Sequence, residues 1–148
     1  MNKFKIFLGG TCADTNWREQ VIGMLEFKFY NHIDYFNPVV EDWTPECIEK
    51  ENEEKEYFCN IHLYHITSET KGFYSIAEAI ESTMKGKITI FSVDPTGFDK
   101  QQLKSFSAIV DMIRRHSGFA FIQKQPESFS ELETILNLWF EDNEISVS

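Results

Sequence analysis

Lys87-Ile88-Thr89-Ile90-Phe91-Ser92-Val93 is an apolar, β-branched run held between Gly86 and the turn sequence Asp94-Pro95-Thr96-Gly97. It reads as a buried strand. On its N-terminal side, Ser75 to Lys85 sets Ile76, Ala77, Ile80 and Met84 at helical spacing, with Gly86 placed to end the helix. On its C-terminal side, Asp99 to His116 repeats the spacing through Leu103, Phe106, Ile109, Val110 and Ile113. A strand flanked by helices of this length needs crossover connections, and crossovers join parallel neighbours.

The same alternation continues in both directions. Gly118 opens a strand over Phe119 to Ile122, and Pro126 and Ser128 precede a last helix carrying Phe129, Leu132, Ile135, Leu136 and Trp139 on one stripe. Towards the N-terminus, Phe4 to Leu8 is a short strand stopped by Gly9-Gly10, and Trp17, Val21, Met24 and Leu25 mark a helix beyond Asn16. Ile33 to Phe36 and Ile61 to Ile66 are two more strands. Between them Pro45 suits the first turn of a helix capped by Thr44. The charged stretch Glu46 to Asn60 reads as a helix outside the sheet that touches it mostly near Tyr57-Phe58-Cys59. Five strands separated by helices predict an α/β fold: a doubly wound parallel sheet, order 2-1-3-4-5, with helices on both faces. One domain over residues 1–141 is expected, with an acidic C-terminal tail over 142–148.

Composition bounds the function. The chain has 148 residues, of which 42% are hydrophobic and 14 are Phe, enough for a sizeable core without disulfide or metal staples. The formal charge of −10, from 24 acidic against 14 basic residues, argues against a nucleic-acid partner. Cys12, Cys47 and Cys59 share neither a disulfide framework nor a metal-ligand spacing, so a reducing, cytoplasmic setting and no metal or other cofactor are expected. The N-terminus lacks a signal-peptide pattern and no apolar run is long enough for a membrane span, so no membrane partner is expected.

In an open parallel sheet the binding crevice lies beyond the carboxyl ends of the strands, near the point where strand order reverses. That rule nominates Gly9, Gly10, Thr11 and Asp14 after the first strand, Asn37 after the second, and Thr67, Ser68 and Glu69 after the third, with Ser75 and Glu78 opening the next helix. Gly9-Gly10-Thr11 allows close backbone approach to a sugar or phosphate, although it lacks both the dinucleotide and the triphosphate loop patterns. Arg18 could answer a phosphate charge. Ser75-Ile76-Ala77-Glu78 fits a capping box, which would explain both polar residues structurally; it equally fits a carboxylate at a helix start reaching into the crevice as a nucleophile. Asp42 and Trp43 lie in a loop beside the expected site, where Asp42 could supply an acid and Trp43 a stacking ring, or Trp43 could simply anchor the loop. His62 and His65, three apart in a strand, fall on opposite faces and do not suit one metal ion. Phe27, Phe29 and Tyr30 could contact a second subunit if they are not core.

The succession Lys5-Ile6-Phe7-Leu8-Gly9-Gly10-Thr11, Asp34-Tyr35-Phe36-Asn37-Pro38 and Gly72-Phe73-Tyr74-Ser75-Ile76-Ala77-Glu78-Ala79 resembles a divergent branch of the nucleoside 2-deoxyribosyltransferase-like proteins. The resemblance covers about the first two thirds of the chain. It implies a flavodoxin-like fold, a homodimer or larger homo-oligomer, and transfer or hydrolysis of the N-glycosidic bond of (deoxy)nucleosides or their 5′-monophosphates. It also implies that Glu78 is the nucleophile. Typical members carry an aspartate directly after the third strand and another six residues before the nucleophile, where this chain has Thr67-Ser68 and Gly72. Many also carry a tyrosine after the first strand, where Gly9-Gly10 stands. Asp14, Asp42 or Glu69 could replace the missing acid. The alternative is a catalytically inactive nucleotide- or nucleoside-binding or signalling module, with the same crevice and no such acid.

Overall fold

A computed structural model describes residues 4–12, 16–40, 42–70 and 72–142. Its five parallel strands are β1 (Phe4–Gly10), β2 (Ile33–Phe36), β3 (Ile61–Ile66), β4 (Ile88–Val93) and β5 (Phe119–Ile122). They form one sheet in the order β2-β1-β3-β4-β5, the expected doubly wound arrangement. The helices are α1 (Trp17–Lys28), α2 (Pro45–Glu53), α3 (Phe73–Met84), α4 (Lys100–Arg115) and α5 (Glu127–Asp142). No helix among the described residues is long and apolar enough to cross a membrane.

Alternation along the strands divides the core between the two faces of the sheet. Ile6 and Leu8 of β1 point to one side with Leu63 and Ile90, where they meet Val21 and Leu25 of α1 and Leu132 and Leu136 of α5. Phe7, Tyr64, Phe91 and Val93 point to the other side and meet Ala79 of α3 and Phe106, Val110 and Ile113 of α4. Each apolar side chain fully covered in this way contributes about 1.5–3 kcal/mol. Phe29 belongs to the first of these cores and is fully buried, whereas Phe27 and Tyr30 stand in solvent.

Three local features differ from the sequence expectation, and the first two shape the site. First, α3 begins at Phe73 rather than Ser75. Gly72 takes a left-handed conformation (φ 66°) as the N-cap, and its carbonyl accepts from the Ile76 N–H at 3.0 Å. Ser75 and Glu78 therefore lie inside the helix, and the side-chain capping box is absent. Second, α2 starts as expected with Thr44 before Pro45, but the chain widens after Glu53 into a π-helical turn, Glu54–Phe58. Here the Cys59 N–H donates to the Glu54 carbonyl at 2.6 Å. Tyr57 and Phe58 are exposed, and the charged pair Glu54 and Lys55 is buried in their stead. Third, Asp142 is the last residue of α5, and the remainder of the expected acidic tail, 143–148, lies outside the described residues.

Candidate functional site

The reversal of strand order falls between β1 and β3, and a cavity of about 330 Å³ opens there at the carboxyl ends of the strands. Its floor is Phe7, Gly9 and Gly10 of β1. Arg18 of α1, Glu51 of α2, and Ser75 and Glu78 of α3 also line it, with Cys12, Pro38, Thr70, Gly72, Phe73 and Tyr74 completing the described wall. This volume is at the lower end of the range for small-molecule pockets.

The glycines are required by packing. A Cβ on Gly9 would overlap the Tyr64 ring, and one on Gly10, which has φ 115°, would collide with the His65 backbone. Gly10 is therefore held to a conformation and a closeness that other residues cannot adopt. Beyond it Thr11 ties β1 to β3: its N–H donates to the His65 carbonyl at 2.9 Å, and its hydroxyl accepts from the Thr67 N–H at 2.8 Å.

Arg18 is buried behind this turn. Its guanidinium donates to the carbonyls of Leu8 (2.9 Å), Thr11 (2.7 Å) and Gly10 (3.3 Å), and reaches Cys12 Sγ at 3.6 Å. Burial lowers its pKa from the ordinary value. A strand that ends at a crevice leaves carbonyls without ladder partners, and Arg18 supplies the donors. It shapes the loop that borders the cavity. Trp17 joins it by donating from Nε1 to the Thr11 carbonyl at 2.9 Å.

Glu78 projects from α3 into the cavity and meets Lys55 from the π-helical turn, with Nζ 2.5 Å from Oε2. The two side chains are 11% and 9% exposed. Lys55 Nζ also lies 5.5 Å from the centroid of the Phe7 ring, on the cavity floor. The ammonium thus fixes one oxygen of the carboxylate.

The turn that carries Lys55 is itself anchored. His62 Nε2 lies 3.0 Å from the carbonyls of both Lys55 and Cys59, and Nδ1 lies 2.7 Å from Ser82 Oγ. The carbonyls require an N–H, so Nε2 carries the proton and Nδ1 accepts from Ser82. Ser82 Oγ then accepts from Tyr64 OH at 2.8 Å. Burial pushes the His62 pKa down to about 4, so the ring is neutral near pH 7. Alongside, Glu54 binds Lys5 at 2.9 Å and Lys50 at 3.3 Å. Burial works against its charge, but these cations outweigh burial and hold the carboxyl below its usual range.

Glu51 is the second carboxyl among the described lining residues. Its pKa is raised, first by burial and then by the charge of Glu78, against the opposing pull of Lys55 and Arg18. Reading the sequence missed Glu51 and Lys55. Their signal was the Glu51/Lys55 spacing of four, which resembles an ordinary solvent-exposed helix pair.

The other expected site residues fall elsewhere. Asp42 and Trp43 are exposed and do not line the cavity, and Trp43 keeps 61% of its surface. Asn37 is also exposed and accepts from the Val39 N–H at 3.1 Å, closing a local turn. Thr67, Ser68 and Glu69 line a larger opening between the ends of β3 and β5, and Thr67 Oγ1 is buried there with no partner among the described groups. Ser68 and Glu69 also border a groove of about 650 Å³ between α3 and α4 that shares Thr70 and Phe73 with the cavity. Asp14 lies outside the described residues. No cluster of His, Cys, Asp and Glu among the described residues has the geometry to hold a metal ion.

The profile of the nucleoside 2-deoxyribosyltransferase-like family matches residues 3–96, well over half of the chain. No curated protein and no solved structure matches the chain. The matched span runs from β1 through β4 and contains every described residue of the cavity wall. The chain belongs to the nucleoside 2-deoxyribosyltransferase-like family, whose role at family level is glycosyl transfer involving nucleosides.

Proposed function

We propose that this member of the nucleoside 2-deoxyribosyltransferase-like family cleaves the N-glycosidic bond of a (deoxy)nucleoside or its 5′-monophosphate, with Glu78 as the nucleophile. The observation that carries this reading is the placement of Glu78. It stands on a rigid helix inside the switch-point cavity, oriented by Lys55 and free of any capping role. A carboxylate fixed on one oxygen keeps the other for attack on the anomeric carbon.

The chemistry follows from retaining glycosyl transfer. A Glu78 oxygen forms a bond to C1′ while the C1′–N bond breaks and its electron pair leaves with the base. Water then releases the sugar in hydrolysis, or a second base captures it in transfer. Gly9 and Gly10 offer a flat floor for the sugar, and Ser75, one helical turn before Glu78, offers a hydroxyl to it. Asp14, Asp42 and Glu69 are the other acids that the sequence offers, and Glu69 lines the neighbouring openings rather than this cavity. Asp42 is too exposed to serve without loop movement, so it has no step here.

The test is chromatographic. The protein is incubated with deoxynucleosides and their 5′-monophosphates, with and without a second free base, alongside the fold-checked Glu78→Gln variant. Base release or exchange that disappears in the variant supports the reading. A folded protein that releases and exchanges no base across the panel supports the binding module instead.

A further inference from the structure

Glycosidic cleavage also needs an acid for the departing base, and neither Asp42, which is exposed, nor Glu69, which does not line the cavity, supplies it. We infer that Glu51, at the end of α2, is the acid that protonates the leaving base and then the base that activates water. The inference rests on the proposed glycosidic chemistry and supplies its missing residue from a different element of the fold.

Glu51 and Glu78 line one cavity from two helices, α2 and α3. Lys55 differentiates them, since its ammonium contacts Glu78. A pair of carboxyls performs this reaction when one is ionised and the other protonated, and environments that push them apart assign the roles. The groups that face Glu51 fit that division. Glu78 raises the cost of a second negative charge, and Lys55 and Arg18 oppose it only in part. The remaining titratable side chains on the described wall are Cys12 and Tyr74, and Tyr74 is largely exposed at the rim.

The proton and electron accounts close. In the first step Glu78 carboxylate bonds to C1′, the C1′–N electron pair stays on the base, and the Glu51 proton passes to a base nitrogen. Glu78 is then an ester and Glu51 a carboxylate. In the second step water attacks C1′, its proton goes to Glu51, and Glu78 departs as carboxylate.

A leaving base that needs no proton isolates the role of Glu51. 2′-Deoxyguanosine and 7-methyl-2′-deoxyguanosine differ in this respect, because the methylated base is already cationic and leaves neutral. Glu51→Gln is expected to lower kcat/KM, which covers only the steps up to loss of the base, by about 100-fold or more on 2′-deoxyguanosine, the usual share of a general acid, and to lose at least about tenfold less on the methylated substrate. Glu78→Gln is expected to lose both. Equal losses of Glu51→Gln on the two substrates, or none, would overturn the assignment while leaving Glu78 in place. Wild-type protein silent towards both would overturn the glycosidic reading and the role of Glu51 with it. Wild-type protein alone provides an independent check against a misfolded variant. Its kcat/KM for 2′-deoxyguanosine should fall as pH rises and Glu51 loses its proton, and for the methylated substrate that decline should be absent. A decline of equal size with both substrates would also count against Glu51.

Discussion

Lys55 Nζ sits 2.5 Å from Glu78 Oε2, and the contact joins a π-helical turn to α3 beside the cavity at the sheet's switch point. Both side chains are about nine-tenths covered. A pair in this position links stability to the site, because either charge left alone would remain poorly solvated.

Removing one charge should therefore cost more than removing both. Lys55→Met is expected to destabilise the fold by about 3 kcal/mol, as expected when a covered ion loses its partner. Glu78→Leu in the same background should return part of that loss, giving a coupling of about 1–3 kcal/mol in a double-mutant cycle. Urea unfolding of the four proteins measures it. Strict additivity would show that the pair is electrostatically idle.

Acid should weaken the fold before its carboxylates are all protonated. His62 and His65 are buried, and burial pushes both pKa values down to about 4 from an ordinary value near 6.5. Above the unfolded value both states hold neutral imidazole, and the linkage is silent. Between about pH 6.5 and 4 the unfolded chain binds protons that the folded chain refuses, so stability falls as pH falls through this window. Denaturant midpoints measured across it should decline, and more shallowly in His65→Gln. An unchanged slope in that variant would contradict the buried neutral state of His65.

Ser82 connects Tyr64 to His62, and through His62 to the carbonyl of Lys55. Ser82→Ala leaves a buried ring nitrogen without its donor, so a loss of about 1–3 kcal/mol is expected in urea unfolding. The same change should lower kcat on whichever nucleoside the protein turns over, because the turn that orients Glu78 is loosened. Stability lost with kcat intact would confine the network to a purely structural role.

The sheet was legible because its signals are local. β4 is a β-branched run between glycine and proline turns, and the helices on either side carry unbroken apolar stripes. Strand order then followed from the crossovers, and the cavity from strand order. Of the site residues expected from the sequence, Gly9, Gly10, Arg18, Ser75 and Glu78 line the cavity. Ser75-x-x-Glu78 fits a capping pattern, yet Gly72 takes the left-handed turn three residues before the expected start and draws Phe73 and Tyr74 into the helix. Glu51 and Lys55 stayed hidden in a segment with no apolar stripe, and Lys55 sits on a widened helical turn held by a histidine from β3. Arg18 was read as a phosphate ligand from its charge and spacing. The carbonyls that engage it are produced by the end of β1, which sequence does not display.

Intact-protein mass spectrometry detects a covalent bond between C1′ and the Glu78 carboxylate. A 2′-fluoro-2′-deoxynucleoside slows release of the sugar from a glycosyl-enzyme, so the intermediate accumulates. Incubation with such nucleosides should add one fluorosugar per chain, and peptide mapping should place it on Glu78, with no adduct on Glu78→Gln. Turnover of the parent nucleoside with the adduct on any other residue would contradict the account.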